Sequence, residues 1–221
     1  MDPCLACPLC AGSDCQHYHR DRRRDYFQCA DCDLVFVPPQ QRLGAEAEKA
    51  IYDTHENDPG DSGYRRFLSR LFEPLNVRLR PGSSGLDFGC GPGPALAMML
   101  REAGHEVRLY DLYYAPDASA LQQQYDFICA TEVIEHLYCP GEELARLMDL
   151  LRPGGYLGLM TKRVLDAKAF SSWHYKNDQT HVCFFSDRTF EYLARRFDCS
   201  LEFVAADAVI LQRRPCSAGC R

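Results

Sequence analysis

One stretch constrains this chain of 221 residues more than any other: GLDFGCGPGPALAMMLREAGHEVRLYDLYY, residues 85–114. Leu86, Asp87 and Phe88 read as the end of a short buried strand. Gly89, Gly91 and Gly93 alternate directly after it. Alternate glycines accept positive φ and let a ligand lie against the main chain. Pro94 suits a first helical turn and Gly104 its stop. Val107 to Tyr110 predict a second strand ending at Asp111. An acidic residue roughly 20 positions beyond such a turn is placed to accept hydrogen bonds from ribose hydroxyls.

Two nucleotide classes compete for this turn. A dinucleotide site shows Gly-x-Gly-x-x-Gly and receives a pyrophosphate. This chain shows Asp87-x-Gly89-x-Gly91-x-Gly93, with a carboxylate ahead of the first glycine. That sign is wrong for phosphate and right for a cationic amino-acid end. The segment resembles the class I S-adenosylmethionine-dependent methyltransferases, and the resemblance runs from about Gly85 to Arg213. QYDFICATEVIEHL (124–137) looks like the family's fourth strand and its turn. LRPGGYLGLMT (151–161) looks like a helix end, a Pro-Gly-Gly turn and the fifth strand. FFSDRTFEYLARRF (184–197) reads as a helix capped at Ser186 or Asp187, and 201–204 with 208–211 as a closing antiparallel pair.

The resemblance implies an α/β fold with a Rossmann-like, seven-stranded sheet. It implies a donor site for S-adenosylmethionine built from Asp87, Phe88, Gly89, Cys90, Gly91, Gly93, Asp111, Leu112, Thr131 and Glu132. Asp87 and the turn would hold the methionine part, Asp111 the ribose, and Leu112 would flank the adenine. Only 13 residues separate Asp111 from Tyr125. The family usually fits a helix, a third strand and an adenine-contacting acid there, so that region is expected to be shortened. Asp117 is a weak candidate for the contact.

The N-terminus carries a second pattern. Cys7/Cys10 and Cys29/Cys32 form two Cys-x-x-Cys knuckles, 18 residues apart. Paired thiolates at this spacing fit tetrahedral Zn²⁺ in a four-cysteine ribbon. A segment of this size has little core of its own, so metal would supply much of its stability. Cys4, Cys15, His17 and His19 are further candidate ligands, and buried or redox cysteines are the competing reading. Arg20, Arg22, Arg23 and Arg24 favour an anionic contact, but the surrounding aspartates fit a solvated loop equally well. The expected organisation is a zinc ribbon at 1–39, a helical bridge or lid at 40–80, the methyltransferase domain at 81–214 and a tail at 215–221. In the bridge, 43–55 read as mixed polar helix. Tyr64, Phe67, Leu68, Leu71, Phe72 and Leu75 form an apolar stripe behind a cap at Asp61 or Ser62. That helix packs on the next domain, or closes over a substrate with Tyr64 or an arginine facing it. In the tail, Cys216 and Cys220 either join a metal site or fray.

Glu132, Glu135 and His136 fall at i, i+3 and i+4, one face of a helical turn. His181 follows the fifth strand. Two carboxylates and imidazoles suit a divalent cation. The pattern looks like that of the small-RNA 3′-terminal ribose 2′-O-methyltransferases and of the O-methyltransferases of ubiquinone synthesis. That resemblance implies a second metal on Glu132, Glu135, His136 and His181. A cap or wall is the competing reading. Without metal, His136 or His181 is a candidate general base, with Glu135 beside it. Trp173, Tyr175 and Phe184 would wall a substrate or pack the core, and Cys90 is expected to be structural.

A net charge of -6 with a pI near 5.6 argues against a protein held on nucleic acid by phosphate attraction. No apolar run reaches the ~18 residues of a membrane span. The N-terminus lacks a signal-peptide layout, so a cytoplasmic location is expected. The reading that follows is a methyltransferase acting on a small-molecule hydroxyl by in-line displacement. Its alternatives are an RNA methyltransferase gripping substrate with the ribbon and a non-catalytic donor-binding scaffold. Oligomeric state is not legible in the sequence.

Overall fold

The computed structural model describes residues 5–54 and 58–215, so Cys4, His55, Cys216 and Cys220 lie outside it. Three short antiparallel strands open the chain: β1 (Cys15–Arg20), β2 (Asp25–Cys29) and β3 (Val35–Phe36). Helices α1 (Ala45–Tyr52) and α2 (Ser62–Asn76) follow. The rest alternates strand and helix: β4 (Ser84–Phe88), α3 (Ala95–Glu102), β5 (Glu106–Tyr110), β6 (Tyr125–Thr131), α4 (Pro140–Leu150) and β7 (Leu151–Met160). Then come α5 (Ala167–Ser171), β8 (Cys183–Phe184), α6 (Asp187–Arg196), β9 (Cys199–Ala205) and β10 (Ala208–Arg213).

The main sheet runs β5-β4-β6-β7-β10-β9. Its first four strands are parallel, and β10 pairs antiparallel with both β7 and β9. β6 is covered on both faces, and its side chains alternate accordingly. Phe127 and Cys129 pack toward α2 and α3. Ile128 and Ala130 pack toward α4 and α6. In α2, Leu68, Leu71 and Leu75 are fully buried, each stabilising by roughly 1.5–3 kcal/mol at most. Gly158 of β7 leaves the room Leu71 occupies, since a Cβ there would sit 3.1 Å from the leucine. Asp61 caps the helix, accepting from the Tyr64 amide at 2.6 Å.

The expected seventh strand is missing among the described residues. Between β5 and β6 the chain makes only a bridge from Asp111 to Ala115 and a 3-10 turn at Ala118–Leu121. Thirteen residues cannot supply a helix and a strand, so β5 is left as the sheet edge. Asp117 caps this turn, accepting from the Ser119 amide at 3.0 Å. It is not a cavity residue.

The cysteine-rich segment is joined to the larger sheet domain. β3 pairs with β8, so the small sheet runs β1-β2-β3-β8 and takes its last strand from residues 183–184. The first knuckle rests on α4 and α6. Pro8 O accepts from the Gly141 amide at 3.2 Å, and Leu9 O from Arg196 Nη1 at 2.6 Å. A Cβ at Gly141 would lie 2.2 Å from Leu9 O, so the approach needs glycine.

Candidate functional site

A cavity of about 490 Å³ opens at the carboxyl ends of β4, β5 and β6. Ligand sites of open α/β sheets lie there, and the volume suits a small-molecule site. Phe88, Gly89, Cys90 and Gly91 form one wall, and Asp111 and Leu112 another. Thr131 and Glu132 lie at the floor. Gly89 (φ 71°) and Gly91 (φ 61°) are left-handed, as alternate glycines allow. Asp111 ties the turn to β5: Oδ2 accepts from the Gly91 amide at 3.0 Å, and Oδ1 from the Tyr113 and Tyr114 amides at 2.8 and 3.0 Å.

Asp87 and Gly93 do not line the cavity. Both are buried beneath the turn, where Asp87 accepts a bond from the Ala97 amide of α3. Burial pushes the Asp87 carboxyl up to about 7, against the downward pull of that bond and of Arg101. Sequence reasoning assigns Asp87 to the donor directly, whereas here it holds the turn from below.

Glu135, His136 and His181 converge, their candidate ligand atoms lying within 4.8 Å of one another. The two imidazoles meet edge to face with centroids 4.6 Å apart. His136 Nδ1 lies 3.2 Å from Thr180 O, and His181 Nδ1 2.8 Å from Tyr175 O. A carbonyl only accepts, so each Nδ1 carries a proton toward its carbonyl, and His181 Nε2 faces the Asp178 carboxylate at 3.8 Å. Glu135 is fully buried. Its Oε1 accepts from Tyr175 OH, and its Oε2 has no partner among the described residues. Burial, then the neighbouring Glu132, pushes Glu135 up to about 8.

Glu132 stands apart from that trio. It precedes the 3-10 turn Ile134–His136 and is itself left-handed (φ 53°), so the expected single helical face does not form. Its Oε2 accepts from Tyr175 OH at 3.3 Å, and burial pushes it up to about 7.

Several cavity residues carry no motif in the sequence. Glu48 and Tyr52 of α1 line it with Tyr64, Tyr113, Tyr114 and Asp178. Glu48 accepts from Tyr52 OH at 3.1 Å and from Tyr113 OH at 3.3 Å, and Tyr114 OH donates to Asp53 at 2.8 Å. The i, i+4 spacing of Glu48 and Tyr52 was the available signal. Four carboxylates (Glu48, Asp111, Glu132, Asp178) face the cavity, and no lysine or arginine does among its described residues.

The four knuckle cysteines also converge, with sulfurs within 4.8 Å of one another. Cys7 pairs with Cys32 and Cys10 with Cys29, each at 3.4 Å between sulfurs. These are near the ~3.8 Å edge of a zinc tetrahedron and far from the ~2.05 Å of a disulfide. Ala11 and Asp33, each following the second cysteine of a knuckle, are both left-handed (φ 61° and 63°). Cys15 stays outside the cluster, against Gly12 O, and His17 turns to Asp25 at 3.3 Å. His19 packs its ring on Tyr26 and Phe170.

The arginine run divides between surface and interior. Arg24 is buried, whereas Arg20, Arg22 and Arg23 are exposed, Arg20 pairing with Asp25 at 3.3 Å. Trp173, Tyr175 and Phe184 pack with Phe170 in an aromatic core cluster and do not line the cavity.

Residues 56–202 match a family model described as a methyltransferase domain. The chain is 33% identical over 110 residues to the biotin biosynthesis bifunctional protein BioCD of Bordetella avium (strain 197N). That match covers 40% of this chain and spans 23% of the relative's length. Among solved structures, an O-methyltransferase family protein from Burkholderia thailandensis superposes with a TM-score of 0.52. It is 15% identical and covers 77% of this chain and 60% of its own. The Burkholderia thailandensis 1,6-didemethyltoxoflavin-N1-methyltransferase, solved with 1,6-didemethyltoxoflavin and S-adenosylhomocysteine, gives 0.51 at 17% identity, over 90% of this chain and 99% of that one. At these identities the structural likeness establishes the fold.

Proposed function

We propose that this chain, which belongs to the methyltransferase-domain family, transfers a methyl group from S-adenosylmethionine to a hydroxyl oxygen on a small, uncharged or cationic molecule. The observation that carries this reading is the pair of imidazoles at the cavity, each with Nδ1–H bound to a carbonyl. Such a group removes a proton from a hydroxyl as it attacks.

Bound in the cavity, S-adenosylmethionine supplies a methyl group on a sulfonium whose departure leaves a neutral thioether. The cavity carboxylates Asp111 and Asp178, with no lysine or arginine among its described lining residues, favour that cation and disfavour phosphate or carboxylate acceptors. Gly89 and Gly91 let the nucleoside approach the main chain. Asp111 is oriented by three backbone amides and retains lone pairs for a ribose. Methyl transfer from a sulfonium needs little beyond geometry, so the cavity residues mainly align donor and acceptor. His136 or His181 receives the acceptor proton at Nε2.

Two metal sites belong to the same reading. Cys7, Cys10, Cys29 and Cys32 suit structural Zn²⁺ by donor type and sulfur spacing. Glu135, His136 and His181 suit a divalent cation, because Glu135 carries a buried Oε2 with no partner among the described residues beside two imidazoles. A cation there would lower the pKa of an acceptor hydroxyl. Glu132 falls outside this trio.

Incubation with methyl-labelled donor and a panel of catechols, neutral sugars, aromatic carboxylates and RNA tests the proposal. Label is expected in neutral hydroxyl compounds. Label confined to RNA or to anionic acceptors would overturn it.

A further inference from the structure

We propose that Arg24, on the hairpin of the cysteine-rich segment, is a positioning residue for the acceptor side of the cavity. Its guanidinium holds residues 176–181, the loop that brings Asp178 and His181 to the site. Arg24 is 5% exposed, and its two terminal nitrogens meet four carbonyls of this one loop. Nη1 donates to Gln179 O and His181 O, both at 3.0 Å. Nη2 donates to Lys176 O at 2.7 Å and Asp178 O at 3.0 Å.

The arginine is itself held in place. Asp21 Oδ1 accepts from the Arg23 and Arg24 amides at 2.7 and 2.8 Å, closing the hairpin turn. Tyr26 OH donates to Asp21 Oδ2 at 2.7 Å, and the Tyr26 ring lies under the guanidinium, 5.4 Å from its carbon.

The loop has little secondary structure beyond a 3-10 turn at His174–Asn177. Its carbonyls need partners from outside, because a buried carbonyl left unpaired is costly. Arg24 supplies them with a planar fork that no other side chain carries. Just past the loop, Val182 bonds both ways: its carbonyl accepts from the Val37 amide at 2.9 Å, and its amide donates to Glu135 O at 2.8 Å. β3 and β8 then pair. The hairpin, the loop and the Glu135–His136 turn are therefore one connected unit. The cysteine-rich segment thus acts on the cavity through Arg24.

The consequence for turnover rests on His181 serving the acceptor, as proposed above. The test does not, so the two readings fail separately. Arg24→Ala and Arg24→Lys are compared with the full-length parent by hydrogen exchange, by NMR of ¹⁵N-labelled histidine rings, and by S-adenosylhomocysteine calorimetry. In Arg24→Ala, exchange over 176–182 should quicken at least about tenfold. The His181 ring signals should move, exchange in β4–β6 should hold, and ligand affinity should stay within about twofold. Guanidinium ion should restore protection. Arg24→Lys, with one ammonium for four carbonyls, should show an intermediate opening. It decides the matter should the alanine variant not fold. Wild-type exchange and ring signals in either variant would overturn the proposal. So would opening that spreads to β4–β6 with loss of ligand affinity.

Discussion

Replacing Gly89 with alanine should be the most damaging small change to the donor turn, and its cost divides into two parts. The backbone there is left-handed, at φ 71°. A side chain held in that region costs roughly 1–2 kcal/mol. The new Cβ would also lie 2.5 and 2.8 Å from the two Val133 methyls, with the Val133 Cβ at 3.3 Å. Overpacking of that kind costs about 1–3 kcal/mol. Together the loss is about 2–5 kcal/mol. Trimming Val133 to alanine removes the clashing methyls and leaves the backbone strain untouched. A double-mutant cycle by urea denaturation should therefore return about 1–3 kcal/mol of coupling and leave about 1–2 unrecovered. S-adenosylhomocysteine affinity, measured by calorimetry, should fall in Gly89→Ala and recover in part in the double variant. A coupling below about 0.5 kcal/mol would refute the geometry given for this turn.

Three further outcomes are expected. Burial lifts Asp87 to about 7, above an ordinary carboxylate near ~3.9. Folding then takes up a proton, so stability should fall as pH rises from about 4 to about 7, by no more than about 4 kcal/mol. Asp87→Asn should remove its share of that slope in urea denaturation, leaving the parts due to Glu132 and Glu135; an unchanged slope would assign all of it to other groups. Cys32→Ser should abolish bound zinc in atomic absorption and loosen exchange across β1–β3, and retained stoichiometric zinc would contradict the four-sulfur site. Glu135→Gln should weaken Co²⁺ binding by about tenfold or more with donor affinity unchanged, whereas equal losses in both would argue against an acceptor-side role.

The parts of the fold that sequence periodicity and turn chemistry specify are where they were expected. Asp61 caps α2, Ser186 caps α6 with Thr189 completing the box, and Gly104 (φ 90°) ends α3. The knuckle cysteines meet because their spacing is local chemistry. What the sequence did not show depends on long-range contact. Asp87 looks like a ligand when read as a motif, but the packing of α3 over the turn hides it. Arg24 looks like one of four solvated arginines, yet its partners lie more than 150 positions downstream. Glu48 and Tyr113 are 65 residues apart and meet only in the folded chain, where both line the cavity. The missing strand was readable as a shortage of residues, though the capping role of Asp117 was not.

A crystal structure with S-adenosylhomocysteine would test the donor site most directly. The nucleoside should lie against Gly89 and Gly91 with its ribose on Asp111 and its adenine beside Leu112, and the thioether sulfur should point toward His136 and His181. A ligand seated elsewhere, or ordered there with its sulfur turned away from the two imidazoles, would contradict the site described.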